Sequence, residues 1–251
     1  MENAPHNDRH DRPNFPILLR YLESQPRLLI ELDGLFRRRP DPPPMLDVLQ
    51  ITQLHDQATL RWHHDPSWPG PHTEGPIPAP GPLLEIALAH HRANFDLWHE
   101  EDTAREPEAS DARIAAVKRA IDVFNQTRND LVEAMDRALL GGAGPQNPAA
   151  PLHSESPGLI LDRLSILALK IYHTAEETHR ATATEAHRRK NLDRLALLEE
   201  QRTDLAACLD ALWSDVLSGK RRFKLYRQMK MYNDPDLNPL VYAHKLAGKP
   251  G

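Results

Sequence analysis

The spacing of apolar residues along the chain is helical. From residue 45 to residue 218, apolar positions recur every three to four residues, which places their side chains on one face of an α-helix. The sequence has no runs of alternating Val, Ile and Thr of the kind that indicate strands. An all-α fold is therefore predicted. Helices are expected over residues 45–64, 82–105, 111–140, 157–180 and 184–219.

Polar caps and helix breakers separate these helices. Ser110, Ser156 and Thr184 each precede a helical pattern and are predicted N-caps. Pro157 follows one of them at a position that tolerates proline. Glycines and prolines between residues 141 and 148 end the longest pattern.

The middle of the chain repeats itself. LWHEED (residues 97–102) aligns with IYHTAE (171–176), and QTRNDLVEAMD (126–136) aligns with EQRTDLAACLD (200–210). Both alignments have the same offset of 74 residues, without a gap. Since short connections favour antiparallel neighbours, we expect two tandem helical hairpins, residues 82–140 and 156–218. They would form a four-helix core with a pseudo-two-fold axis, flanked by an extra N-terminal helix.

Composition sets outer limits on the fold and its partners. Of 251 residues, 23 are prolines, which crowd into residues 1–82 and 141–157. We therefore expect a Pro-rich, largely disordered extension over residues 1–44 and a single all-α domain over residues 45–245. The net charge of -5 does not favour nucleic-acid binding. Cys208 is the only cysteine, which excludes an internal disulfide and a Cys-rich metal site.

The N-terminus lacks the basic-then-apolar order of a secretory signal, and no stretch is apolar for long enough to span a membrane. A cytoplasmic protein without membrane contact is the expectation.

Two arginines interrupt the apolar stripes at equivalent positions. Arg128 and Arg202 each occupy one core position of a seven-residue apolar pattern. Burying a guanidinium costs several kcal/mol unless it is paired. Each arginine is therefore expected to meet a carboxylate or an anionic ligand.

Histidine–acid pairs on the preceding helices supply candidate chemistry. Residues three apart share a helix face, so the acids are placed to orient the histidines, which titrate near neutrality and can transfer protons. The candidate catalytic residues are His99, His173, Asp102 and Glu176. The candidate ligand-binding residues are Arg128, Arg202, Asp130, Asp204, Arg222 and Tyr226.

Three interpretations of this cluster remain open from the sequence. It is a structural network that fixes helix register, a metal site in the bundle core, or an anion site built on the two arginines. A weak likeness of Asp130, Glu133 and Asp136 to the acidic motifs of all-α pyrophosphatases adds a divalent-metal-dependent hydrolase as an alternative. The sequence identifies no cofactor and does not decide whether the chain is an enzyme.

A basic segment follows the second hairpin. Residues 220–230 contain six basic residues and no acid, interleaved with aromatic and Met side chains. This spacing predicts an amphipathic C-terminal helix over residues 219–233. Its basic face would recognise a phosphate-bearing ligand or an acidic partner.

Four segments carry a resemblance to a known family. They are HRANFDLWHEEDTAR, IDVFNQTRNDLVEAMD, ESPGLILDRLSILALKIYH and FKLYRQMKMYNDPDLNP. Over residues 46–242 the chain resembles the bacterial domain-of-unknown-function family 4254, which has no established activity. Members lie beside genes for glycosyltransferases of cell-surface glycans, so the resemblance implies a sugar-phosphate or nucleotide-like anionic ligand. The competing expectation is a non-enzymatic interaction module that binds a glycosyltransferase or forms a homodimer.

Overall fold

A computed structural model of the protein describes residues 46–65, 83–227 and 236–239. These residues form five helices: α1 (Val48–His64), α2 (Leu83–Thr103), α3 (Asp111–Ala143), α4 (Pro157–His179) and α5 (Glu185–Leu217). The prediction of an all-α fold is confirmed, since the described ranges contain no strand beyond one isolated bridge. None of the helices in these ranges is long and apolar enough to cross a membrane. The predicted extension over residues 1–44 and most of the Pro-rich segment before α2 lie outside the described residues.

The helix boundaries follow the expected capping chemistry. The side chains of Ser110, Ser156 and Thr184 each accept a hydrogen bond from the backbone N–H three residues later, at 3.2–3.4 Å. α3 continues through Gly141 and ends at Gly144, whose φ of +68° is in the left-handed region that glycine tolerates. The three predicted N-caps are confirmed.

The helices pack as two hairpins and a fifth helix. α2 packs along α3, and α4 packs along α5, while α1 contacts α2, α4 and α5. Between α1 and α2 the contacting pairs include His55–His91 and His63–His99, and between α2 and α4 they include His91–Ser165 and His99–His173. Since residue numbers rise together in each set, α1, α2 and α4 run parallel and in register. The pseudo-two-fold axis itself stays a prediction.

α1 is part of the hydrophobic core. Its Ile51 is fully buried in the main cluster with Ile86 of α2, Met135 of α3 and Leu164 of α4. Each such side chain contributes about 1.5–3 kcal/mol by leaving water. The helix predicted as an N-terminal addition therefore stabilises the same core as the hairpins.

The C-terminal segment departs from its prediction. Residues 221–227 are not helical, so the predicted helix over residues 219–233 does not form there; residues 228–233 lie outside the described ranges. Arg222 donates its N–H to the carbonyl of Pro151 at 3.1 Å and accepts from the N–H of His153 at 2.8 Å. Phe223 is buried, and its backbone bonds the side chain of Gln146. These long-range hydrogen bonds pair backbone N–H and C=O groups that a helix would have paired locally.

Candidate functional site

Three parallel helices bring three histidines to one level near their C-terminal ends. They are His63 of α1, His99 of α2 and His173 of α4, with ring centroids separated by 5.1 Å, 5.2 Å and 5.8 Å. Each follows an aromatic residue in the sequence: Trp62, Trp98 and Tyr172. Tyr172 stacks on His63 at 4.3 Å, and Trp98 stacks on His173 at 5.1 Å with only 7° between the planes. The aromatic rings hold the imidazoles in place.

One nitrogen of each histidine is already hydrogen bonded. Nδ1 of His63 and Nδ1 of His99 lie 2.7 Å and 2.8 Å from the carbonyl oxygen four residues earlier in the helix. Since a carbonyl only accepts, each Nδ1 carries the proton. Nδ1 of His173 lies 2.9 Å from Oε2 of Glu176, which fixes the same tautomer. In the neutral rings, the Nε2 lone pairs are therefore available.

Two of the remaining nitrogens are buried without protein partners, and ligand atoms of the three rings lie close together. Nε2 of His63 and Nε2 of His173 are buried and have no hydrogen-bond partner among the described residues. One ligand atom from each of the three histidines lies within 4.8 Å of the others. Burial, reinforced by His173 and His99, lowers the pKa of His63 to about 4. His63 is thus uncharged at neutral pH.

The end of α1 favours a positive charge at this position. α1 ends at His64, α2 at Thr103 and α4 at His179, so the three histidines lie one, four and six residues before parallel C-termini. A helix C-terminus carries a partial negative charge. Because this effect falls off within the last turn, the end of α1 beside His63 is the one that favours a cation.

Three of the four predicted catalytic residues meet here. His99, His173 and Glu176 belong to the cluster, whereas Asp102 is exposed and His99 bonds a backbone carbonyl instead. His63 was not predicted, because the repeat was identified from two copies only. The sequence nevertheless contained a pattern that could have identified His63. Trp62-His63 is an aromatic–His pair like the pair in each repeat copy.

A second group of polar side chains lies about two helical turns from the histidine cluster, toward the N-terminal ends of α2 and α4. Thr59 donates its hydroxyl hydrogen to the carbonyl of His55 at 2.9 Å, so Nε2 of His91, 2.8 Å away, donates to Thr59. Nδ1 of His91 then accepts from Ser165 at 2.8 Å, and Ser165 accepts from Asn94 at 2.9 Å. Thr59 also provides the carbonyl that holds His63, so this directed chain supports the histidine cluster.

The two arginines of the stripes are paired with carboxylates that were not predicted. Arg128 binds Asp162 of α4 through two nitrogens, with Nε 2.6 Å from Oδ1. Burial alone would raise the pKa of Asp162, but hydrogen bonds from Arg128 and His90 hold it well below its usual range. Arg202 binds Asp56 of α1 at 2.8 Å. The requirement for a carboxylate at each arginine is met.

The other predicted ligand-binding residues do not join the histidine cluster. Asp130 accepts from Gln126 at 2.8 Å, and exposed Asp204 borders a groove between α4 and α5. Arg222 donates to the carbonyl of Ala150 at 2.8 Å, beside the start of α4, and Tyr226 is exposed nearby in the chain. The segment that contains Arg222 lies at the opposite end of α4 from His173.

No curated protein and no solved structure shows significant similarity to this chain. A family model described as "Protein of unknown function (DUF4254)" matches residues 84–225, which covers α2 to α5 and more than half of the chain. His63 lies before the matched region. The chain belongs to this family of unknown function.

Proposed function

We propose that this protein binds a first-row transition-metal ion of the Zn²⁺ class through His63, His99 and His173. The observation that carries the proposal is the convergence of three imidazoles whose Nδ1 atoms are already held by oxygen acceptors. Metal-ligating histidines almost always have such an outer partner. Neutral imidazole is a ligand for Zn²⁺, Cu²⁺, Ni²⁺ and Fe²⁺, and much less for Mg²⁺ or Ca²⁺.

The distances suit a tetrahedral ion after a small adjustment. Zn–N bonds of about 2.0–2.1 Å place neighbouring ligand nitrogens about 3.3 Å apart. The ligand atoms here lie within 4.8 Å of one another. Ligation would therefore bring these nitrogens closer by up to about 1.5 Å.

Three protein ligands leave one coordination position for an exchangeable group. Structural zinc sites usually take four protein ligands, whereas catalytic sites take three and a water. Phe95 and Leu169 lie one turn below His99 and His173 and are buried together, which closes the interior side. The exchangeable position would lie toward the helix ends, where Glu176 follows His173. A bound ion would supply Lewis-acid activation of water there, which is the chemistry of a metal-dependent hydrolase.

A titration with metal tests the proposal. The full-length protein is stripped with a chelator and titrated with ZnCl₂, and with CoCl₂ for its visible absorption. We expect one equivalent to bind with the intense absorption of tetrahedral Co²⁺, and we expect His63→Ala and His99→Ala to lose it. His179→Ala removes an exposed histidine of α4 and is the control. Binding that survives in both cluster variants would remove the proposed site.

A further inference from the structure

One face of α5 is exposed along much of the helix. α5 packs along α4 and contacts α1. Lys190, Leu197 and Asp204 follow one another at intervals of seven residues, which is close to two helical turns, so they lie in one stripe. All three are exposed, and the exposed fraction of Leu197 is 53%. These three residues are called the outer stripe of α5.

The two halves of α5 carry opposite charge. Residues 185–197 contain two acidic and four basic side chains, which are Glu185, Asp193, Arg188, Arg189, Lys190 and Arg194. Residues 198–210 contain one basic and four acidic side chains, which are Arg202, Glu199, Glu200, Asp204 and Asp210. Arg202 is moreover paired with Asp56 of α1. The N-terminal half of the exposed helix is therefore positive, and the C-terminal half is negative.

Contacts within the chain leave the charges of the outer stripe unpaired. Arg188 donates to the carbonyl of Ala183 at 2.5 Å, and Arg194 donates to the side chain of Asn191 at 3.2 Å. Lys190 and Asp204 have no ion-pair partner among the residues that the structure describes. Both ends of the stripe are therefore available to charges from outside the chain.

A second α5 that runs antiparallel across the outer stripe matches these charges. Lys190 and Asp204 lie at equal distances on either side of Leu197. When Leu197 meets its own copy at the centre, Lys190 of each copy lies opposite Asp204 of the other. The positive half of one helix then covers the negative half of its partner. A parallel pair would instead bring like charges together, which is unfavourable.

We infer that this protein pairs with a second copy of itself through the outer stripe of α5, in an antiparallel arrangement with two-fold symmetry. Such an interface uses the same surface in both copies, as the position of Leu197 between the two charges requires. Residues 186–208 give a contact about 33 Å long. One helix pair is a small interface, so the affinity is weak. The inference is independent of metal binding, because His63, His99 and His173 lie on other helices.

Sedimentation equilibrium of the full-length protein tests the pairing. The protein is kept in chelator, so that no metal ion bridges two copies, and is measured from about 1 μM to about 1 mM. We expect the average mass to rise from the 28.5 kDa of one chain toward twice that value. Association should weaken at high salt, because exposed charges are then screened. The mass of a single chain at all these concentrations would overturn the inference.

Charge reversal locates the pairing on α5. Lys190→Glu and Asp204→Lys each bring like charges together and should weaken association roughly tenfold or more. The double variant Lys190→Glu/Asp204→Lys restores opposite charges across the axis and should recover association. Arg119→Glu reverses an exposed charge of α3 and should associate as the wild type does. A double variant that associates no better than the single variants contradicts the inference.

Cross-linking tests the position of the two-fold axis. Because Leu197 meets its own copy there, Leu197→Cys in a Cys208→Ser background should form a disulfide-linked dimer when oxidised with diamide. Leu192 is 52% exposed but lies about 140° around α5 from Leu197. Leu192→Cys in the same background should therefore remain a single chain on a non-reducing gel. Equal cross-linking of the two variants would show random collision and would remove the proposed interface.

Discussion

The rings of His99 and His173, repeat counterparts 74 residues apart, face each other with centroids 5.8 Å apart. They meet because α2 and α4 are parallel and in register, so that the same offset recurs in the His91–Ser165 contact two turns away. Inward-facing positions 74 residues apart on these two helices therefore lie opposite each other. This places the histidine cluster between the two hairpins, where α1 adds the third ring.

Glu176 is expected to strengthen metal binding through His173. Its carboxylate accepts from Nδ1 of His173 at 2.9 Å and holds the ring with Nε2 directed into the cluster. Loss of such a partner typically weakens metal affinity by about 10–100-fold. A competition titration with a chromophoric chelator on Glu176→Gln measures this effect. Asp102→Asn changes the exposed repeat counterpart and should leave the Zn²⁺ affinity unchanged.

Arg128→Met is expected to destabilise the fold more than Arg202→Met. The partner of Arg128 is Asp162, whose side chain is 9% exposed, and a buried carboxylate that loses its partner costs about 3–5 kcal/mol. Asp56, the partner of Arg202, is 27% exposed, so its carboxylate keeps more contact with water when Arg202 is removed and the cost is smaller. Urea denaturation of both variants gives the comparison.

The double variant Asp162→Asn/Arg128→Met provides the control for this prediction. It removes the buried charge together with its partner and should recover much of the lost free energy of unfolding. Equal destabilisation by the two single variants would contradict the assignment of Asp162 as the buried acceptor.

Gly158 is required where α4 crosses α3. A Cβ at this position would lie 2.7 Å from the carbonyl oxygen of Val132 and 2.8 Å from Oδ1 of Asp136. Gly158→Ala should therefore lower the free energy of unfolding by about 1–3 kcal/mol, despite the better helix propensity of alanine. Gly141→Ala, also within a helix but with nothing within 4 Å, should instead gain up to about 1 kcal/mol. Thermal or urea denaturation of the pair separates steric contact from propensity.

Asp136 is expected to make stability depend on pH below neutrality. Burial raises its pKa to about 6, although Ser156 and the N–H of Gly158 donate to its carboxylate. In the unfolded chain the pKa is about 3.9. The folded state therefore holds the proton of Asp136 more tightly than the unfolded chain does. The contribution of Asp136 to the free energy of unfolding is fully present below about pH 4 and is lost as pH rises through about 6.

Urea denaturation between pH 4 and 7.5 in chelator measures this dependence. The stability of the wild type relative to Asp136→Asn should fall by up to about 3 kcal/mol across that range. Asp204→Asn changes an exposed carboxylate of α5 and serves as the matched control. A difference between wild type and Asp136→Asn that stays constant with pH would contradict the prediction.

Local rules account for the parts of the fold that the sequence predicted. The caps Ser110, Ser156 and Thr184 act within three residues, and the apolar spacing defines each helix without reference to its neighbours. The repeat likewise identified His99 and His173 as a pair. Local rules failed at residues 221–227, where backbone pairing with residues 151–153 and burial of Phe223 replaced the expected helix.

The sequence by itself determined the five helices, the two hairpins and the need of each arginine in the apolar stripes for a carboxylate, because these follow from side-chain periodicity and desolvation. Only the tertiary structure decided which carboxylates those are. Residue 162 is an aspartate, whereas its counterpart, residue 88, is a leucine, so Arg202 turns to Asp56 of α1. The position of α1 also brings His63 to His99 and His173. Contacts between distant segments depend on how helices pack, which no local pattern encodes.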